Sequence, residues 1–205
     1  MSKNVSEPTV HVVDDDEAVR DALEMLIRSI GLPVKSFNSA ISFLDQYDNE
    51  ARGCLLLDIR MPSMSGLELQ DELIARNSSL SIIFITGHGD IPMAVRAIKK
   101  GAIDFISKPF RDQDLIECIQ RALLINEESR DRINLQHQIN ENLAQLTQRE
   151  KEIMDLMIEG LANKVIALEL DISQRTVEVH RASVMTKMQA GSLAHLVKMI
   201  TSMNL

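Results

Sequence analysis

The run Cys54-Leu55-Leu56-Leu57-Asp58-Ile59-Arg60-Met61-Pro62, followed by Ser65-Gly66, decides how this chain is read. A short apolar run ending on a carboxylate is long enough for one buried strand and too short for a helix. Open α/β folds bind ligands just outside the carboxyl ends of their strands, and Asp58 is predicted to stand there. Two other apolar runs end in the same way. Val10-His11-Val12-Val13 leads into Asp14-Asp15-Asp16, and Ile103-Asp104-Phe105-Ile106 leads into Ser107-Lys108-Pro109. Several carboxylates and a lysine at strand ends describe a site that holds a divalent cation and handles a phosphoryl group.

The same alternation runs through residues 9–125. Strands are predicted at 9–13, 34–37, 53–57, 81–86 and 102–106, with helices opening near Glu17, Ser39, Gly66, Ile91 and Gln113. Val19, Leu23, Leu26, Ile27 and Ile30 form the apolar stripe of the first helix, which Gly31-Leu32-Pro33 ends. Strands alternating with helices predict an α/β domain with a parallel, doubly wound sheet and right-handed crossovers. Residues 126–145 are polar, with isolated Ile133, Leu135, Ile139 and Leu143, and read as a helical linker continuing the preceding helix. Residues 146–205 carry no strand pattern. Thr147-x-x-Glu150 is a capping box for a helix bearing Ile153, Leu156 and Met157, and Gly160 ends that helix. A short helix at 163–170, the turn Asp171-Ile172-Ser173 and a helix at 174–188 capped by Ser173 make a helix-turn-helix. A last helix at 193–203 completes a small all-α, four-helix domain.

Composition narrows the function classes. Aromatic residues make up only 3% of the chain and Trp is absent, so the core must be aliphatic. No apolar stretch approaches the roughly 20 residues of a membrane span, and residues 1–8 lack the apolar region of a signal peptide. A cytoplasmic protein with no membrane association is expected. Cys54 and Cys118 have no neighbouring His at metal-ligand spacing and are expected to be core thiols. Residues 1–125 hold 13 Lys and Arg against 19 Asp and Glu, whereas residues 147–205 hold 7 of each. Whole-chain charge argues against nucleic acid, and the local pattern of the last domain overrules it.

Magnesium takes oxygen ligands and keeps several waters, which suits two carboxylates from different strand ends plus a phosphate oxygen. Carboxylates so close repel, and a cation keeps them ionised. An aspartate can form an aspartyl phosphate, a lysine can pair with the phosphoryl oxygens, and the Thr86 hydroxyl can hydrogen-bond to one. Asp16 reads more simply as the cap of the helix at Glu17. Taken singly, Lys108 is a loop charge and Thr86-Gly87 a strand-ending turn; at one sheet edge together they read as a site.

Val13-Asp14-Asp15, Leu57-Asp58-Ile59-Arg60-Met61-Pro62, Ser65-Gly66, Thr86-Gly87 and Lys108-Pro109-Phe110 resemble, in order and spacing, the receiver domain of bacterial response regulators. The resemblance covers residues 9–125, with residues 1–125 taken as the domain, and implies a flavodoxin-like fold. It implies that Asp58 accepts a phosphoryl group from the histidine of a sensor kinase. It implies Mg²⁺ held by Asp14, Asp15, Asp58 and the backbone carbonyl of Arg60, with Lys108 at the phosphoryl group. Thr86 and Phe105 are the implied switch pair, and Lys108–Pro109 the implied cis peptide. Phe105 also reads as a core aromatic of its strand.

On the helix at 174–188, Val177, His180, Val184 and Met188 share a face assigned to the core. Arg175, Glu178, Val179, Ala182, Ser183 and Lys187 share the opposite, polar face, as a groove-reading helix requires. Leu146-Thr147-x-x-Glu150, Gly160-Leu161-Ala162-Asn163-Lys164, Ile166-Ala167, Ile172-Ser173, Thr176-Val177-Glu178-Val179-His180-Arg181 and Lys187-Met188 resemble the LuxR/NarL-type DNA-binding domain. Ala162 and Val165 depart from that pattern. The resemblance implies that Glu178, Val179 and Ala182 face base edges and that Lys164, Arg175, Thr176 and Lys187 contact phosphates. Ser173 and Arg181 belong to the same DNA-binding set. Glu178 could accept from a cytosine amino group, or pair with Arg181 or Arg175.

Both halves together are most like the FixJ-type branch, through Gly87-His88-Gly89-Asp90-Ile91-Pro92-Met93-Ala94-Val95 and Arg175-Thr176-Val177-Glu178-Val179-His180-Arg181-Ala182. That resemblance implies a two-component transcription factor, usually an activator. Its implied partners are a sensor histidine kinase, double-stranded promoter DNA and RNA polymerase. Phosphorylation is expected to favour a homodimer formed through Asp90 to Ile106. The competing enzyme reading is a Mg²⁺-dependent phosphatase of the haloacid-dehalogenase type. It wants a second Asp two residues after the nucleophile, where this chain has Arg60, so the chain is not expected to be an enzyme. The near-neutral charge of the last domain leaves output through protein binding as the other alternative.

Overall fold

The computed structural model describes residues 7–87 and 91–202. Asp90 and Met203, at the ends of two expected segments, lie outside the described residues. The chain separates into two compact units, Met1–Arg130 and Asp131–Leu205.

Among the described residues of the first unit, β1 (Thr9–Val13), β2 (Val34–Phe37), β3 (Gly53–Leu57), β4 (Ser81–Thr86) and β5 (Asp104–Ser107) form one parallel sheet ordered β2-β1-β3-β4-β5. The helices between them are α1 (Glu17–Ser29), α2 (Ala40–Gln46), α3 (Gly66–Ala75) and α4 (Ile91–Lys99), and α5 (Asp112–Ala144) follows β5. Side chains alternate across a strand, so β3 feeds both faces. Leu55 and Leu57 join Val13, Phe43, Leu69 and Phe84 in one core. Cys54 and Leu56 join Val10, Val12, Ile27, Ile83 and Ile119 in the other. Burial on both faces is why β3 reads as an unbroken apolar run. Cys54 and Cys118 are both buried thiols.

The fifth strand begins two residues later than the pattern predicts. Gly101 takes a left-handed φ of 93°, and the Ala102 amide donates to Ala97 O at 3.1 Å. Ala102 therefore closes α4, a role an apolar residue after a helix-ending glycine often takes.

α5 is anchored to the first unit where its sequence turns polar. Asn126 accepts from the Gly53 amide at 2.9 Å and donates to Ser79 O. Arg130 donates to Ala51 O and Ser79 Oγ, each at 3.0 Å. In the second unit the end of α5 meets α6 (Gln148–Ile158), α7 (Asn163–Glu169), α8 (Gln174–Lys187) and α9 (Leu193–Thr201). Ile139 is fully buried there with Ile153, Met157, Ile166, Val177, Val184 and Leu196, and Leu143 packs against them. Ile133 and Leu135 stay exposed. Thr147 and Glu150 form the capping box of α6, and Ser173 caps α8. Among the described residues no helix is long and apolar enough to cross a membrane.

Candidate functional sites

β1 and β3 are neighbours with Val13 opposite Leu57, so Asp14 and Asp58 leave the sheet side by side. Both are buried. β4 and β5 pair Thr86 with Ser107, which brings Lys108 to the same edge, its amide donating to Thr86 O at 2.9 Å. The Lys108 ammonium donates to Asp14 Oδ2 at 2.6 Å and to Asp58 Oδ1 at 3.2 Å. The remaining oxygens take backbone amides, Asp58 Oδ2 from Arg60 at 2.6 Å and Asp14 Oδ1 from Asp16 at 3.0 Å. Burial raises the Asp58 carboxyl above its usual range, and the Lys108 charge and the Arg60 amide offset part of that rise. Burial pulls Lys108 down, but Asp14 and Asp58 outweigh it and hold the ammonium charged.

Neighbouring residues shape the approach. Asp16 caps α1, accepting from the Ala18 amide at 2.9 Å. Asp15 is exposed and lines a cavity of about 490 Å³ with Arg60, Met61, Pro62 and Met93. A Cβ on Gly66 would fall well inside van der Waals distance of the Asp58 carbonyl oxygen, so only glycine lets α3 start against that loop. Thr86 is buried at the end of β4, Phe105 is half-buried against the sheet core, and the Lys108–Pro109 peptide is cis.

In the second unit, Lys164, Ser173, Arg175, Glu178, Val179 and Ala182 are exposed, and Thr176 and Arg181 are partly so. Among the described residues Glu178 makes no ion pair with Arg175 or Arg181. His180 is only half-buried, unlike Val177, Val184 and Met188 with which its spacing grouped it. Lys187, expected to contact a phosphate, is here paired within its own domain. Its ammonium lies 2.6 Å from Glu150 Oε2, and Ser183 Oγ donates to Glu150 Oε1 at 2.6 Å. Glu150 is thus the cap of α6 and the acceptor that binds α8 to it. The bonds from Lys187, Ser183 and the Thr147 amide hold its carboxyl down at about 2.

Residues 10–120 match the family of response regulator receiver domains, and residues 144–200 match the luxR family of bacterial regulatory proteins. The chain belongs to the two-component response regulators. This response regulator is 48% identical to the transcriptional regulatory protein FixJ of Azorhizobium caulinodans over 190 residues, 93% of this chain and 90% of that one. It is 47% identical to the response regulator TmoT of Ectopseudomonas mendocina over 95% of this chain and 89% of that one. The solved structure of the response regulator StyR matches with a TM-score of 0.87 at 48% identity, over 96% of this chain and 99% of that one. A receiver joined to a LuxR-type helix-turn-helix domain makes the regulator a DNA-binding transcription factor rather than an enzyme.

Receiver domains generally use Mg²⁺, and the donor chemistry of this receiver's edge fits it. Asp14, Asp58, the exposed Asp15 and the Arg60 carbonyl offer only oxygen, which a hard cation prefers. Among the described residues no three His, Cys, Asp or Glu side chains are clustered as a metal site. Magnesium keeps several waters, so a set of three protein side chains is not required. The Glu150–Ser183–Lys187 network of the DNA-binding domain was not read from sequence, because its partners lie 33 and 37 residues apart.

Proposed function

We propose that Asp58 is the phosphoacceptor of this response regulator, and that its phosphorylation promotes dimerisation and binding to promoter DNA, with activation of transcription as the output. The observation that carries this reading is the buried Asp58 beside Asp14, with one lysine bridging both. A nucleophilic carboxylate needs an ionised oxygen, and the Lys108 charge favours that form against the burial that opposes it. In the transfer, an Asp58 oxygen attacks the phosphorus and the bond from phosphorus to the kinase histidine breaks, its electron pair staying on that nitrogen. Lys108 then pairs with a phosphoryl oxygen and the Thr86 hydroxyl donates to another, with Phe105 turning inward as its partner in the switch. Asp14, Asp15, Asp58 and the Arg60 carbonyl would hold Mg²⁺. When bound, that ion would neutralise charge on the phosphoryl oxygens.

Partner surfaces are consistent with this reading. A cavity of about 730 Å³ beside Lys108 is lined by Ala22, Met25, Leu26, Pro109 and Phe110 and suits docking of the sensor kinase. On α4, Ile91 is 81% exposed and Val95 and Ile98 are exposed beside it, next to the edge strand β5. An isologous dimer across this segment, Asp90 to Ile106, would bury that apolar face. Two copies of α8 then meet an inverted-repeat operator. Glu178, Val179 and Ala182 face base edges, while Lys164, Ser173, Arg175, Thr176 and Arg181 hold the backbone. Lys187 acts through Glu150 to position α8. The receiver spans residues 1–125, the helical linker 126–145 and the DNA-binding domain 146–205, working in the cytoplasm with RNA polymerase as final partner.

Intact-mass spectrometry after incubation with Mg²⁺ and acetyl phosphate tests the core of this proposal. The wild-type chain gains one phosphoryl group and Asp58→Ala gains none. Equal labelling of both would place the acceptor elsewhere.

A further inference from the structure

We propose that Arg20 is a positioning residue for the Mg²⁺ site, a role that rests on Asp14, Asp15, Asp58 and the Arg60 carbonyl being its ligands. Its guanidinium fixes the peptide between Asp14 and Asp15 and so sets where the Asp15 carboxylate stands. Arg20 lies one turn into α1, where its amide donates to Asp16 O at 3.1 Å. Helix side chains lean back toward the amino terminus. That of Arg20 returns over this turn, and its Nη1 donates to the backbone carbonyl of Asp14 at 2.8 Å.

The three aspartates of this segment differ in what holds them. Asp14 Oδ1 accepts from the Asp16 amide at 3.0 Å, and Asp14 Oδ2 from Lys108 at 2.6 Å. Asp16 Oδ1 accepts from the Ala18 amide at 2.9 Å. Asp15 is exposed, and among the described residues its carboxylate receives no hydrogen bond and makes no ion pair. Only the backbone beneath it aims that carboxylate. A peptide unit is planar, so a bond at the Asp14 carbonyl fixes the unit as far as the Asp15 Cα, from which the side chain leaves. Magnesium demands near-ideal octahedral geometry, so a misaimed ligand weakens its binding. Among the described residues Arg20 makes no ion pair with any of the three aspartates. A guanidinium paired with Asp15 would compete with the cation; bound to the carbonyl, it leaves that carboxylate available. The charge and the hydrogen bond act with opposite sign. As a charge Arg20 repels Mg²⁺, so its removal would tighten binding. As a positioning group its removal loosens binding, since losing a partner that orients a metal ligand costs about 10–100-fold in affinity.

Arg20→Met keeps an unbranched stem and removes the charge and every donor. Mg²⁺ alone is titrated into the ¹⁵N-labelled full chain and followed by the amide shifts of Asp14, Asp15 and Arg60. The Met variant is expected to remain folded by urea titration and to bind Mg²⁺ about tenfold more weakly than the wild type. Arg20→Lys keeps the charge and a donor, and is expected to lie between the two. Phosphorylation by acetyl phosphate gives a second readout. The Met variant should need about tenfold more Mg²⁺ and then reach the wild-type rate, since Asp58 and Lys108 are untouched. A folded Met variant that binds Mg²⁺ as tightly as the wild type, or more tightly, overturns the role of Arg20 alone. So does a Lys variant that binds no better than the Met variant. A wild-type chain without saturable Mg²⁺ binding overturns the reading of the site itself, and the role of Arg20 with it.

Discussion

Replacing His11 with phenylalanine should remove an acid-sensitive component of receiver stability. Burial, reinforced by the Lys35 charge, lowers the imidazole from 6.5 to about 4 in the folded chain. In the unfolded chain the same ring titrates near its ordinary value. Between those two pH values the unfolded state binds a proton that the native state refuses, so stability falls as pH falls through that window. Each pH unit is worth about 1.36 kcal/mol, which makes the total loss roughly 3 kcal/mol by about pH 4, with no further loss from this group below that. His11→Phe keeps an aromatic ring against Phe37 and Phe43 and has no proton to bind. Urea titrations of both proteins, extrapolated linearly to water, give the difference at each pH. Tyr47 is the single tyrosine in a chain without tryptophan, so its fluorescence reports on this unit alone. Asp58, whose carboxyl is raised, titrates in both proteins and cancels in the difference. The variant should gain on the wild type by roughly 3 kcal/mol between neutral pH and about pH 4. A difference that stays flat across that range would refute a buried, neutral His11.

Other consequences follow from single contacts. Gly66→Ala drives a methyl group into the Asp58 carbonyl and should cost about 1–3 kcal/mol, read as a lower urea midpoint. Lys108→Met leaves Asp58 facing Asp14 without the bridging cation, so the Asp58 carboxyl should rise further. The acidic limb of its phosphorylation rate by acetyl phosphate should therefore move to higher pH. On duplex DNA, Arg175→Ala should lower the slope of log affinity against log salt by about 1 if it holds one phosphate. Lys187→Ala should leave that slope nearly unchanged and lower the thermal stability of the DNA-binding domain, since its charge is engaged with Glu150.

The sheet edge was legible in sequence because a strand buried on both faces must be apolar throughout and its chemistry must come after its end. That rule located Asp14, Asp58 and Lys108 from three runs of the chain. Caps were legible for the same local reason, as with Asp16, Thr147 and Ser173, whose backbone amide donors lie two or three residues ahead. Long-range polar contacts left no such trace. Asn126 and Arg130 looked like ordinary linker residues, yet their partners are Gly53, Ala51 and Ser79. Lys187 sat on the polar face by helical spacing, and nothing local revealed that Glu150 lies opposite it. His180 fell on the apolar stripe by spacing but is half-buried, because Val177, Val184 and Met188 suffice to fill the core on that side.

Sedimentation of wild type and Asp58→Ala with Mg²⁺, with and without beryllofluoride, tests most directly the claim that phosphorylation of Asp58 controls assembly. The account predicts that only the wild-type chain with beryllofluoride sediments as a dimer, and that Ile91→Asp on α4 returns it to monomer. A dimer formed equally by Asp58→Ala, or a wild-type chain that stays monomeric with beryllofluoride, would contradict it.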